Sequence, residues 1–420
     1  MTTSQPASGR CPAHAGRPAR PDQPLPIYGP EFNADPHATY AQLREQGPIA
    51  PVEISPGVWG YLTTTYRSAR YLLQNTPNRF AKDPCHWHAL ANGQVPADSP
   101  ALMMMQPRDN ALWMDGREHA RLRHAITSSL ARVDTHALAA TVTAIADQLI
   151  DAVAPAGACD LVAQYADPLP MLTVIEMFGT PPEIGHRITT TLARLFDADQ
   201  DAAAANADLE TACLALTRLK RASPRRDVTS WLIEAGLTDE EMVQTILLVI
   251  GAATTPSSNL IMNALQRIIT DPRFAGSVHD GVQPVCDALD EVLWTDPPVS
   301  NYSPLYALGQ QTFEGVTLQP GYPILVSFAA ANGDPSLGLT PTSYAGNRGH
   351  LAFSAGVHAC PAPDLARTIA ETAVERALDR LPHLTLAYTP LTRRPATFNS
   401  GFTALPVHFQ PTAPLTPTGR

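Results

Sequence analysis

Six cysteines are scattered through the 420 residues, at positions 11, 85, 159, 213, 286 and 360, with no close pair of the CxxC kind. In a chain this long such scatter suits reduced thiols and not a disulfide framework. The plain expectation for any one of them is a small buried hydrophobe. Cys360 differs because of what precedes it, Phe353-Ser354-Ala355-Gly356-Val357-His358-Ala359. A thiolate that ligates a metal needs a tight loop, positive potential and shelter from water. Gly356 permits the positive φ such a loop demands. A helix starting just past Cys360, with Pro363 suited to its first position and Asp364 in its first turn, supplies the potential. Phe353 offers the shelter. Elsewhere, His119 and Arg123 stand four residues apart on a helical stretch, so they share one face and can reach one anionic group.

The elements that must position these residues are mostly helical. Apolar residues recur at three- and four-residue spacing over 34–46, 117–131, 136–153, 238–270, 284–294 and 363–381. Strand-like runs are short, at 58–63, 315–318, 322–328 and 405–409. The 41 prolines fall mostly between helical stretches, where they act as stops. Thr238-Asp239-Glu240-Glu241 fits a capping box at the start of the longest helix. The apolar run 246–253 behind it suits a helix buried on most sides. The predicted class is mainly α with a small β component, in a single domain from about residue 26. Residues 1–25 are polar and proline-rich and are expected to be a disordered lead-in.

The cysteine segment, with Leu365-Ala366-Arg367 beyond it, resembles the heme-binding loop of the cytochrome P450 superfamily. The resemblance extends over essentially the whole chain from about residue 26. It implies heme b as cofactor, Cys360 as the axial iron ligand, His358 at a heme propionate, and Phe353 and Gly356 as parts of the cofactor loop. His119 and Arg123, in His119-Ala120-Arg121-Leu122-Arg123, look like the family's propionate-holding pair. Gly251-Ala252-Ala253-Thr254-Thr255 resembles its oxygen-binding stretch, with Thr254 and Thr255 as catalytic candidates. Pro256 has no N–H for the Ala252 carbonyl and is expected to kink the helix there. A kink with a free carbonyl and two hydroxyls can hold dioxygen and a water. Trp87, Met104, Ala252, Val299 and Phe402 are positional candidates for the substrate pocket.

Several positions depart from the family pattern. Ser354 and Ala362 stand where glycine is usual. Pro361 and Pro363 withhold two amides from the sulfur, which is expected to leave it more electron-rich. Ala253 replaces the acid before the threonine. Leu305 lies near where many members place a propionate-binding arginine. Asp290-Glu291-Val292-Leu293-Trp294 looks like the Glu-x-x-Arg helix with tryptophan for arginine, as in an actinobacterial branch of the family. A buried Glu291 then needs another partner, and Arg348 is a candidate.

The net charge of −10, from 39 acidic against 29 basic side chains, argues against nucleic acid or an anionic membrane as partner. No segment approaches the uninterrupted apolar length of a membrane span, and no secretory signal is evident. The expectation is a cytoplasmic heme-thiolate monooxygenase or oxidase. Its electrons are expected from a separate ferredoxin and ferredoxin reductase, because no reductase domain is attached. Its substrate is expected to be a small secondary metabolite, such as a cyclodipeptide, either hydroxylated or coupled through aromatic rings. The alternative is a heme-bearing binding or regulatory protein with little turnover.

Overall fold

The computed structural model describes residues 24–196, 202–275, 285–388, 390–395 and 397–415. All of the expected lead-in except Pro24 and Leu25 lies outside the described residues, as does Cys11. Five helices build the site: α1 (Gly116–Leu130), α2 (Thr135–Val153), α3 (Asp239–Thr270), α4 (Val285–Thr295) and α5 (Pro363–Arg380). Each follows an apolar stripe whose period matches a helix with one buried face. The capping box at the start of α3 is present. Thr238 Oγ1 accepts from the Glu241 N–H at 3.3 Å, and the Glu241 carboxylate accepts from the Thr238 N–H at 3.0 Å. Helix α3 runs unbroken through Pro256 and packs against α4 and α5. It is long and apolar enough to cross a membrane by length and composition, as is the segment Thr135–Ala156, yet both supply residues to the helical core.

A six-stranded sheet stands at one side: β1 (Leu25–Pro26), β2 (Ile49–Ser55), β3 (Val58–Thr63), β4 (Phe80–Ala81), β5 (Asn301–Ala307) and β6 (Pro323–Ser327), in the order β1-β2-β3-β6-β5-β4. Strands β4 and β5 are antiparallel, with Phe80 opposite Ala307 and Ala81 opposite Tyr306. Continuing that register sets Lys82 across from Leu305. Two separate apolar clusters line the sheet, one containing Trp87 and Tyr40, the other Phe80, Leu305 and Leu351. Strands β2 and β5 escaped the sequence reading because each contains a proline, Pro51 and Pro304, which weakens a strand pattern. Helix Tyr66–Gln74 and the helices between Pro168 and Glu234 escaped it as well.

Helix α4 suspends the segment that leads into the cysteine loop. The Trp294 Nε1–H donates to the Asn347 carbonyl at 2.8 Å, and the Asp290 carboxylate accepts from the Gly346 N–H at 2.8 Å. Asn332 joins the Leu293 carbonyl to the Leu351 N–H, at 3.0 and 2.8 Å. Asp290 also meets Arg367 of α5 at 2.6 Å, and both side chains are almost fully buried. Glu291 does not pair with Arg348. It pairs with Arg267 of α3 at 3.3 Å and with Arg273 at 2.7 Å, whereas Arg348 is largely exposed and lies 3.9 Å from Asp290. The four-residue turn of α4 puts Glu291 toward α3, while Arg348 follows the segment hung from Trp294 on another side.

The cysteine loop is closed by the Cys360 N–H on the Phe353 carbonyl at 2.8 Å. Ser354 adopts φ 62° and Gly356 φ 72°. A Cβ at Gly356 would meet the Leu73 carbonyl oxygen at 2.3 Å, so glycine is required by space as well as by φ. Ser354 occupies a left-handed conformation that costs a side-chain-bearing residue roughly 1–2 kcal/mol. Ser354→Gly is therefore expected to raise stability by about 0.5–1 kcal/mol after the chain-entropy penalty of glycine. Gly356→Ala is expected to lower it by about 3 kcal/mol. Thermal unfolding of the two variants checks the contrast. Trp294→Arg would bury a guanidinium whose nearest former partner, Glu291, is already taken. A loss of about 3 kcal/mol is expected, with no gain in heme retention, and melting and heme content together read it.

Candidate cofactor and active site

The described cysteines differ sharply in surroundings. Burial pushes the Cys159 and Cys213 thiols up to about 12, with only acidic neighbours, Asp160 and Glu210, adding to the shift. Cys360 is also raised by burial, but two groups oppose it: the Ala362 N–H, which hydrogen-bonds the sulfur, and the Arg123 guanidinium. The sulfur thus receives the one amide that lies between Pro361 and Pro363. Among the described residues no three His, Cys, Asp or Glu side chains converge as a metal site. Any metal at Cys360 would need further ligands from a cofactor, as the resemblance to the heme-thiolate family implies.

Beside Cys360 lies a polar cluster built from α1, the cysteine loop and the end of β4. The rings of His119 and His358 sit 4.0 Å apart, centroid to centroid. His358 Nε2 is 3.7 Å from Asp115 Oδ1. The Asp115 Oδ2 accepts from the Lys82 and Asp83 N–H groups at 2.7 and 3.0 Å. Burial alone would raise the Asp115 carboxyl, but His358 and these two amides hold it below its ordinary value. Burial lowers His119 to about 4, reinforced by His358 and Arg123, and burial lowers His358 too. Buried polar atoms are ordinarily paired. Here His119 Nε2, His358 Nε2 and Asp115 Oδ1 are buried with no hydrogen-bond partner. Asp115 Oδ1 and His358 Nε2 face each other, which leaves His119 Nε2 beside Arg123, and these two fit a ligand with acidic groups, as the propionates of heme b would be. Thus His119, Arg123, His358, Phe353, Gly356 and Cys360 converge on one region. Lys82, which sequence reasoning missed, belongs to it as well. Its only sequence signal was a lysine ending an apolar strand.

In helix α3, Gly251 and Ala252 are exposed in the middle of an otherwise packed helix. Thr254 is buried, and its hydroxyl donates to the Ile250 carbonyl at 2.8 Å, the back-bond common for a helical threonine. Thr255 is half-buried. Of the pocket candidates, Ala252 and Met104 present surface and Val299 is partly buried. Trp87 is corrected to a core residue, 1% exposed and packed with the sheet, because its indole fills the apolar cluster beneath β2 and β3. Phe402 is likewise buried, in the helical core, with Arg393 over its ring at 4.9 Å.

No protein-family model matches the chain. It is 30% identical over 403 residues to the cytochrome P450 monooxygenase PikC of Streptomyces venezuelae, covering 92% of this chain and 94% of the relative. It is 28% identical over 395 residues to the 2-hydroxy-5-methyl-1-naphthoate 7-hydroxylase of Streptomyces carzinostaticus, covering 90% and 96%. The structure of CYP154C4 from Streptomyces sp. W2061 superposes with a TM-score of 0.83 at 29% identity, covering 94% of this chain and 99% of that one. The fold, the thiol loop and these likenesses agree, and the chain belongs to the cytochrome P450 family as a heme b monooxygenase.

Proposed function

We propose that Cys360 is the axial thiolate of the heme, that His119, Arg123 and His358 receive its propionates, and that the enzyme hydroxylates a small secondary metabolite. The observation that carries this is the polar cluster beside the cysteine loop, where the His119 and His358 rings lie 4.0 Å apart and His119 Nε2 is buried without a partner. The heme supplies the iron at which dioxygen is activated by two electrons and two protons. Cys360 would bring the negative charge to the iron; burial raises its thiol above the ordinary value, and the Ala362 N–H and Arg123 offset part of that rise. Phe353 packs the apolar side of the loop. Relatives named as hydroxylases of a naphthoate and of vitamin D(3) support an apolar substrate of modest size. The exposed Gly251–Ala252 face of α3 provides an apolar wall for it. Electrons come from a ferredoxin and its reductase, and the protein works in the cytoplasm.

Proton supply sets the second reading. Ala253 offers no acid, and the Thr254 hydroxyl is spent on Ile250. A substrate bearing a phenol, indole or amide N–H would bring its own proton, which favours coupling of aromatic rings, including those of a cyclodipeptide. With Ala253→Glu, a protein whose substrate supplies the proton stays as well coupled as the wild type, in product formed per NAD(P)H consumed. A several-fold gain in coupling would reject that reading in favour of plain hydroxylation. For the ligand itself, Cys360→Ala is expected to abolish the thiolate-type absorption of the reduced carbon monoxide complex. Cys85→Ala and Cys286→Ala are expected to leave it intact, and its persistence in Cys360→Ala would refute the assignment.

A further inference from the structure

Four aromatic rings form a continuous line from the surface to the cysteine loop, and the site described so far uses only the last of them. The Tyr344 ring lies 6.2 Å from that of Trp294, centroid to centroid, tilted by 30°. Trp294 meets His350 edge-on at 5.8 Å, and His350 meets Phe353 at 5.8 Å. The Phe353 carbonyl in turn receives the Cys360 N–H. Each ring-to-ring step falls within the range of direct aromatic contact, roughly 4.5–7 Å. Trp294 and His350 are buried, whereas Tyr344 is partly exposed on a segment whose neighbours face solvent. Burial lowers His350 to about 4, so the ring between Trp294 and Phe353 carries no charge at neutral pH.

An indole and a phenol are the side chains that give up an electron most readily, and an arginine at position 294 would give up none. The Trp294 N–H donates to the Asn347 carbonyl at 2.8 Å. That acceptor holds an indole more tightly once it turns positive, and it is too weak a base to take the proton. Tyr344, at the outer end, can release its phenol proton to water. We propose that Tyr344 and Trp294 form a path that supplies electrons to the cofactor and quenches oxidising equivalents left there when no substrate is oxidised. This rests on the reading that seats the heme at Cys360. With hydrogen peroxide as oxidant, one turn converts a peroxide, two electrons and two protons into two waters at the heme. Each electron leaves Trp294, which keeps its N–H and is refilled by Tyr344. Each proton comes from solvent and replaces one that the Tyr344 phenol released. A one-electron reductant of the ascorbate class returns an electron and a proton to Tyr344 after each passage. Tyr302 is the rival donor, since its hydroxyl reaches the His358 carbonyl, but its ring stacks on the buried Phe328 and that pair ends inside the protein. The plain alternative is that the four rings only pack.

The test compares heme-loaded, substrate-free wild type with Tyr344→Phe, Trp294→Phe and Tyr302→Phe. Three properties are read: the paramagnetic resonance of samples frozen just after mixing with hydrogen peroxide, the rate of heme bleaching with and without ascorbate, and the reduced carbon monoxide band. Wild type is expected to show a tyrosyl radical whose signal narrows when the protein is grown on ring-deuterated tyrosine. Tyr344→Phe is expected to lose that signal and to bleach several-fold faster in the presence of ascorbate, which protects only the intact path. Trp294→Phe is expected to do the same, and Tyr302→Phe to match the wild type. Tyr344→Phe keeps the ring packing and removes only the oxidisable hydroxyl, so it decides the matter even if Trp294→Phe holds heme poorly. A wild-type signal and bleaching rate in Tyr344→Phe would overturn the proposal and leave the rings as packing. So would loss of the signal in Tyr302→Phe alone, or an undiminished signal in Trp294→Phe protein that retains its heme. Absence of the thiolate band from the wild type would refute the Cys360 ligand and the path with it, whereas the band without a Tyr344 radical would overturn the path alone.

Discussion

The desolvation of the Cys360 sulfur is the constraint on which the rest of this structure depends. Desolvation opposes the thiolate, as it does at Cys159 and Cys213, where the thiols rise to about 12. At Cys360 the fold brings three compensations together: the Ala362 amide, the Arg123 guanidinium and the first turn of α5. Each comes from a different requirement. The amide is free because Ala362 stands between two prolines. Arg123 arrives on α1, whose apolar face is packed into the helical core. The helix end is set by the chain reversal at Ser354 and Gly356, whose positive φ angles bring Cys360 back to the Phe353 carbonyl.

Holding that loop still is the work of charges placed elsewhere. Asp290 reaches Arg367 across the α4–α5 interface, and its other oxygen takes the Gly346 amide. Trp294, expected at the arginine position of the family pattern, makes one hydrogen bond, to the Asn347 carbonyl. An indole there avoids a second buried cation, and Glu291 turns instead to Arg267 and Arg273 at a half-exposed edge. Losing an arginine from a buried network is tolerable only when its acid finds another base, since an orphaned buried carboxylate is costly.

Much of this was legible in the residues alone. Helices α1 to α5 follow from apolar periodicity, because each needs only one buried stripe and local capping groups such as Thr238 and Glu241. The Cys360 loop was legible because glycine, histidine, cysteine and a helix start have fixed spacing along the chain. Strands β2 and β5 were not, because their prolines are tolerated only through partners that lie far away in sequence. Trp87 was placed at a pocket wall by position, yet an indole packs wherever the largest apolar gap lies, here beneath the sheet.

Covalent order therefore determined which residues are candidates for the chemistry: one cysteine in a ligand-shaped loop, a histidine and an arginine on one helical face, and a threonine preceded by Ala253. Tertiary structure decided their charges and partners. It chose Arg267 and Arg273 over Arg348 for Glu291, brought the Ala362 amide to the sulfur, bound Thr254 to its own helix, and set the Lys82 amide on Asp115. The division has a physical cause. Helix formation and loop closure act over a few residues and are written in local spacing. Desolvation and ion pairing depend on which distant segments exclude water together, and that is settled only when the helices and the sheet have packed.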